Sequence, residues 1–252
     1  MTALKTIVSF LDRELNTGGF KDDCHNGLQV ENSGTVRRIC TGVDASLPFF
    51  ERAAELKADL VICHHGLSWG DSLRRITDLN YRRLKFLLDH DIALYACHLP
   101  LDAHPRHGNN ALICKALGLR ELKPFGVYHG VPIGFRGALP KPMPYHAFKR
   151  RAQAVFGRTA DTMDFGRKQV RTVAVVSGGA ANQISEAGEC GVDVYVSGEP
   201  NLAAFNLAQE YGINAIFAGH YATETFGVEA VAALLSRRYR MPVEFIDMRI
   251  PY

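Results

Sequence analysis

Ten residues, Lys57-Ala58-Asp59-Leu60-Val61-Ile62-Cys63-His64-His65-Gly66, lie over another ten, Gly191-Val192-Asp193-Val194-Tyr195-Val196-Ser197-Gly198-Glu199-Pro200, and this correspondence constrains the fold more than any other feature. Each stretch holds a short apolar run of the kind a buried strand shows, then breaks at glycine or proline. The match extends on both sides. Val36 to Val43, ending in Gly42-Val43-Asp44-Ala45-Ser46, pairs with Val170 to Val176 and Ser177-Gly178-Gly179, and the run Ile92 to Cys97 pairs with Ile213 to Gly219. Helical stretches separate these runs. The chain is therefore expected to be α/β, with two pseudo-repeated units over 1–125 and 126–252, each a parallel or mixed sheet flanked by helices.

The helices have their own signals. Met1 to Leu15 is amphipathic, Asp44 or Ser46 can cap the helix that has Pro48 in its first turn, and further helices are expected over Asn80 to His90, Tyr145 to Phe156 and Asn201 to Tyr211. Lys123 to Tyr145 is rich in glycine and proline. Its Val127, Tyr128, Val131, Ile133 and Phe135 are too apolar for a solvated tether, so it is read as extended strands and turns.

At 252 residues, 47% hydrophobic, 22% charged and with a net charge of +3, the chain can bury a full core and is neither disordered nor built as a nucleic-acid-binding surface. Its arginine clusters, such as Arg74-Arg75 and Arg237-Arg238, are interspersed with acids and read as solvated helix faces. Six cysteines without C-x-x-C spacing are expected to be reduced thiols, mostly buried, in a cytoplasmic protein. No signal peptide is expected at the amino terminus, and no apolar run approaches the roughly 20 residues that cross a bilayer.

The chemistry gathers where the apolar runs end. Neighbouring side chains on a strand point to opposite faces, so His64 and His65 predict either two metal ions side by side or one ligand beside one supporting group. His98-Leu99-Pro100-Leu101-Asp102 pairs with His220-Tyr221-Ala222-Thr223-Glu224, both His-x-x-x-carboxylate after a strand. If Tyr221 begins a helix, the i, i+4 spacing stacks His220 and Glu224 on one face. Asp102 follows Pro100 and is expected to reach inward from a loop. His98, His104, His107 and Glu199 join the candidate ligands, with other readings beside that one: His98 as a group supporting a ligand or bonded to backbone, His104 and His107 as exposed or facing substrate, and Glu199, which falls where His65 falls, as a cap of the next helix. Imidazole with carboxylate and no thiolate suits Zn(II), Mn(II), Fe(II) or Ni(II) without distinguishing them. One carboxylate can bridge two such ions, and a water held between them would be acidified enough to make hydroxide available at neutral pH. No phosphate-binding glycine loop, dinucleotide fingerprint or nucleophile elbow is present.

The ordered set Asn26-Gly27-Leu28-Gln29-Val30, Gly42-Val43-Asp44-Ala45-Ser46, Cys63-His64-His65-Gly66 with Trp69-Gly70, His98 to His104 with Gly108-Asn109-Asn110, and Gly219-His220-Tyr221-Ala222-Thr223-Glu224 resembles the NIF-three-like family, whose members carry the name GTP cyclohydrolase 1 type 2 homologue. The likeness runs from about Leu15 to the carboxyl end and is to the short bacterial form, without an inserted domain. It implies intertwined repeats, a homohexameric ring with the sites facing an internal cavity, and two divalent metal ions per subunit. The ligands it implies are His64, His65, Asp102, His220 and Glu224, with Glu224 bridging. Apart from the resemblance, His98 and His104 are read as orienting ligands or substrate and are the candidates for catalytic groups. Asp44 stands where many members have a small or hydroxylated residue. The function expected is a dinuclear-metal hydrolase acting on a small nucleotide-like or phosphate-bearing molecule, with GTP ring opening as the specific version. The alternative is a metal-stabilised structural or partner-binding ring without turnover.

Overall fold

The structure, a computed structural model, describes residues 1–158 and 160–252. In chain order it begins with β1 (Thr2–Ala3), α1 (Leu4–Leu15), β2 (Gly27–Val30), β3 (Thr35–Val36), β4 (Ile39–Asp44), α2 (Leu47–Glu55), β5 (Leu60–His65), α3 (Asp78–Asp89), β6 (Ala93–Ala96) and α4 (Leu99–Ala103). It continues with α5 (Asn109–Ala116), β7 (Arg120–Tyr128), β8 (Val131–Pro144), α6 (Tyr145–Phe156), β9 (Asp161–Asp164), β10 (Gln169–Val175), α7 (Ile184–Glu189), β11 (Val194–Ser197), α8 (Leu202–Tyr211), β12 (Asn214–Phe217), α9 (His220–Tyr239) and β13 (Val243–Phe245). Two compact units result: Met1–Leu101 with Gly227–Arg249, and Asp102–Phe226 with Ile250–Tyr252.

The first unit is built on a five-stranded sheet in the order β13-β4-β5-β6-β2. β13, β4, β5 and β6 run parallel and β2 closes one edge antiparallel. A parallel sheet is covered on both faces, and so Leu60-Val61-Ile62-Cys63 has no polar alternation and is buried throughout. Phe49, Phe50 and Ala53 of α2 and Leu87 of α3 pack with Cys40, Val61, Cys63 and Leu94. On α1, Leu4, Ile7, Leu11 and Leu15 recur at helical spacing and are the buried positions.

The second unit holds a six-stranded sheet in the order β7-β8-β10-β11-β12-β9. β10, β11 and β12 are parallel, while β7, β8 and β9 pair antiparallel at the two sides. The glycine- and proline-rich stretch forms the long β7–β8 hairpin, as its apolar content predicts. Val173, Val175, Val194, Val196 and Ile216 form the core with Phe148 and Ala152 of α6.

The fold is thus mixed α/β, and the internal correspondence reaches down to single hydrogen bonds. Asp59 Oδ2 accepts the backbone N–H groups of Arg37 and Arg38 at 2.7 and 3.0 Å. Asp193 Oδ2 accepts those of Arg171 and Thr172, both at 2.9 Å. The helix before each strand ends on a left-handed residue, Lys57 at φ 59° and Gly191 at φ 65°.

Three local expectations are settled differently or more narrowly. Asp102 lies in α4 rather than in a loop, because Pro100 occupies the first turn of that helix, where a missing N–H costs nothing. Strand β5 extends through both His64 and His65 and ends there, before Gly66. Of Asp44 and Ser46, Ser46 caps α2, accepting from the Phe49 N–H at 3.4 Å, which leaves Asp44 for another role. Five cysteines are buried free thiols and Cys190 is exposed. Among the described residues no helix is long and apolar enough to cross a membrane.

Candidate metal centre

In the first unit the carboxyl ends of the parallel strands bring three imidazoles together. His64 and His65 end β5, and His98 follows β6, the neighbouring strand. Their ring centroids are 4.7 Å (His64–His65), 5.1 Å (His64–His98) and 5.6 Å (His65–His98) apart. One ligand atom from each lies within 4.8 Å of the others, so the group could hold a metal ion. Strand alternation does not keep His64 and His65 apart as expected. At the last two residues of a strand, both side chains can lean past its end.

What faces inward is decided by what each Nδ1 does. His64 Nδ1 donates to the Cys97 carbonyl oxygen at 3.0 Å, His65 Nδ1 to Asp44 Oδ1 at 2.8 Å, and His98 Nδ1 to Asp22 Oδ1 at 2.9 Å. With the proton held on Nδ1, the lone pair is on Nε2, the state a metal-ligating histidine needs. The donor set fits a divalent ion of the imidazole-preferring kind. Asp44 and Asp22 are the partners that sequence reasoning missed. Asp44 was visible only as a helix cap, and Asp22 sits in no periodic pattern.

Asp22 is the most heavily bonded of these groups. Burial by itself would raise its carboxyl, but the hydrogen bond and charge of His98, with the donors Asn26 and the Cys24 N–H, outweigh it and bring the carboxyl down to about 2. It also accepts the Leu99 N–H at 3.1 Å, tying down the start of α4. Asn26 donates to Asp22 at 2.9 Å and accepts the His98 N–H at 2.7 Å. Gln29 Oε1 accepts the N–H groups of Leu67 and Ser68 at 2.8 and 3.0 Å. Asn26, just before β2, and Gln29, within it, therefore clamp the segments that follow β6 and β5. The indole of Trp69 closes the same wall, 4.8 Å from the His98 ring and 5.8 Å from that of His65.

In the second unit the equivalent strand ends gather carboxylates. His220 opens α9, and the i, i+4 spacing places its Nε2 3.1 Å from Glu224 Oε1. Its Nδ1 is 2.7 Å from Glu199 Oε1, so Glu199 holds His220 and does not cap α8, a role taken by Asn201. Burial would lower the His220 imidazole, but the bonds and charges of Glu224 and Glu199 outweigh it and push it up to about 9. Gly178 makes room for this pair. A Cβ at its φ of 66° would run into Glu224 Oε1 and come within 3.2 Å of His220 Nε2. Glu224 is 3% exposed, a burial that a carboxylate tolerates only when paired or coordinated.

Asp102 is also buried in this unit. Its Oδ1 accepts from Asn109 Nδ2 at 2.8 Å and from Ser177 Oγ at 2.9 Å. Asn110 bridges the Asp102 carbonyl oxygen and the Ser177 N–H, at 3.4 and 2.7 Å. His104 has the opposite proton arrangement from the three clustered imidazoles. Its Nδ1 accepts the N–H groups of Arg106 and His107, at 3.2 and 3.0 Å, so its proton is on Nε2 and it presents a donor. His107 stacks on it, ring centroids 5.0 Å apart.

A profile of the Duf34/NIF3 (NGG1p interacting factor 3) proteins matches residues 2–251. A Deinococcus radiodurans protein named GTP cyclohydrolase 1 type 2 homolog is 42% identical over 241 residues, 96% of this chain and 91% of that protein. Among solved structures, a protein designated ybgI, described as of unknown function, superposes with a TM-score of 0.94 at 36% identity over the whole of both chains. The protein TTHA1606 from Thermus thermophilus does so with a TM-score of 0.91 at 38% identity, again over both whole chains. Identity at this level over full length is more than a shared fold requires, and the chain accordingly belongs to the Duf34/NIF3 family.

Proposed function

We propose that this protein is a dinuclear-metal hydrolase of the cytoplasm, acting on a small nucleotide-like or phosphate-bearing substrate. The observation that carries the reading is the cluster of His64, His65 and His98, each with its Nδ1 bonded to an acceptor. We take His64, His65, Asp102, His220 and Glu224 as the residues that would hold two divalent ions, in a homohexamer. Bound there, the ions would supply Lewis acidity and make hydroxide available near neutral pH.

The chain's own groups divide the remaining work. His98 Nε2 takes a proton from the attacking water, while Asp22 holds the ring and stabilises the imidazolium that forms, as the carboxylate of a His–Asp pair does. His104, with its proton on Nε2, donates a hydrogen bond to a substrate oxygen or nitrogen. Applied to GTP, a first water attacks the carbon between the imidazole nitrogens and opens the ring to a formamide, and a second water hydrolyses that formamide, so that the carbon leaves as formate and both nitrogens remain as amines.

The test is formate release from GTP by protein loaded with Fe, Mn, Zn or Ni, its metal content confirmed by elemental analysis. The reading fails if loaded protein yields no formate and Glu224→Ala behaves identically. Chelation separates catalysis from the architectural alternative. An intact but inactive oligomer supports the hydrolase, whereas dissociation of the ring supports a structural metal.

A further inference from the structure

A second, chemically different site is carried by the sheet of the second unit. Lys123 and Arg136 are direct register partners on the antiparallel strands β7 and β8. Their side chains therefore leave the same face. Thr172 on β10 is the partner of Ala138, two residues beyond Arg136, and so continues that face. Like charges directly opposite one another across a strand pair repel. Among the described residues neither the Lys123 nor the Arg136 side chain has a hydrogen-bond or ion-pair partner to offset this.

The strands are bent around these charges. The β7–β8 register slips between Arg120 and Lys123, and Glu121, inside the slip, sits at φ 55°, a conformation residues with a Cβ rarely adopt. Such bulges re-aim side chains and gather at functional sites. The opposite wall is the turn Cys190-Gly191, and the residues enclose a cleft of about 200 Å³. That is several times the roughly 30 Å³ of a water molecule, and suits a phosphate group with a small substituent. The Thr172 hydroxyl is committed to Asp193 Oδ2 at 2.9 Å and serves as wall. Asp193 is itself occupied by the Arg171 and Thr172 N–H groups, with Arg167 3.7 Å away. Glu121 is the one carboxylate on the lining, against two cations.

We propose that this cleft binds a small phosphate-bearing ligand between Lys123 and Arg136. None of its lining residues is among the candidate metal ligands. Arg136 supplies a planar fork that matches phosphate oxygens in pairs, and Lys123 a mobile point charge.

Cys190 lines the cleft and is exposed, while the other five cysteines are buried, so its alkylation reports occupancy. Native protein, with its metal content left intact, would be treated with N-ethylmaleimide over a series of inorganic phosphate concentrations, with the label located by mass spectrometry. Phosphate is expected to slow labelling of Cys190 saturably, and chloride at matched ionic strength to leave it unchanged. Lys123→Gln and Arg136→Gln should each weaken half-protection about tenfold. Glu121→Gln should strengthen it. The proposal is overturned if phosphate leaves the wild-type rate unchanged or if chloride protects equally. Folded Lys123→Gln and Arg136→Gln proteins protected as well as wild type would overturn it too. The chloride control needs no variant, so the test stands even if a substitution fails to fold.

Discussion

His98 and Asp22, 76 residues apart in sequence, are joined by a hydrogen bond of 2.9 Å from Nδ1 to Oδ1, and the Asp22 side chain is only 3% exposed. The same carboxylate accepts from Asn26 and from the N–H groups of Cys24 and Leu99. Asp22→Ala strands several buried donors at once and is expected to cost about 3 kcal/mol, read by urea denaturation. Asp22→Asn keeps an acceptor and should cost less. An alanine variant as stable as wild type would show that these bonds do not hold the segment.

The role given to His98 predicts a division between metal content and turnover. His98→Gln should retain both metal equivalents by elemental analysis while losing about 100-fold or more in rate, the usual contribution of a general base. Loss of one equivalent would make His98 a ligand instead.

His64 and His104 are expected to be opposite tautomers in the metal-free protein. His64 gives its Nδ1 proton to a carbonyl, whereas His104 receives two backbone N–H groups at Nδ1. Long-range proton–nitrogen correlation spectra distinguish the two forms directly. Identical tautomers would contradict the division of these residues into ligand and donor.

Gly178→Ala tests the cradle around Glu224. Alanine at φ 66° loses about 1 to 2 kcal/mol from backbone conformation alone, and its Cβ would displace the Glu224 carboxylate. Calorimetry should show a lower melting temperature and elemental analysis a reduced metal content. Wild-type values in both would remove Glu224 from the site.

Asp164 gives the pH dependence its sign. Burial would raise its carboxyl, but Lys149 Nζ at 2.6 Å, the Tyr145 hydroxyl at 2.7 Å and Thr162 together hold it below its usual value. A carboxyl depressed by folding contributes stability above its unfolded pKa, near 3.9, and loses it as pH falls through the folded value. Melting temperatures of wild type and Asp164→Asn should therefore differ at pH 7 and converge as the pH falls through the folded-state value. The gap will be small, because Asp164 is 46% exposed and screened by solvent. A gap that widens on acidification would reverse the assignment.

Local patterns in the chain were enough to show the central buried strands, though not β1, β9 or β13, because a strand buried on both faces has to be continuously apolar, as Leu60 to Cys63 and Val194 to Val196 are. The repeat was legible in the matching order of apolar runs and glycine turns, and its physical counterpart is that Asp59 and Asp193 each accept two consecutive backbone N–H groups, with a left-handed residue, Lys57 or Gly191, two positions before each. The i, i+4 stack of His220 and Glu224 followed from helical spacing alone.

What only the tertiary structure decided is which residues support the site and how the chain is divided between compact units. Asp22 carries no signal at any period, and Asp44 and Glu199 were legible only as candidate helix caps, since a hydrogen bond to a histidine distant in sequence leaves no trace in sequence spacing. Residues 1–101 share a unit with 227–249, a grouping no local pattern encodes. Periodicity reports the burial of neighbours along one element. The proton positions of His64, His65 and His98 are set by acceptors that reach them from elsewhere in the fold.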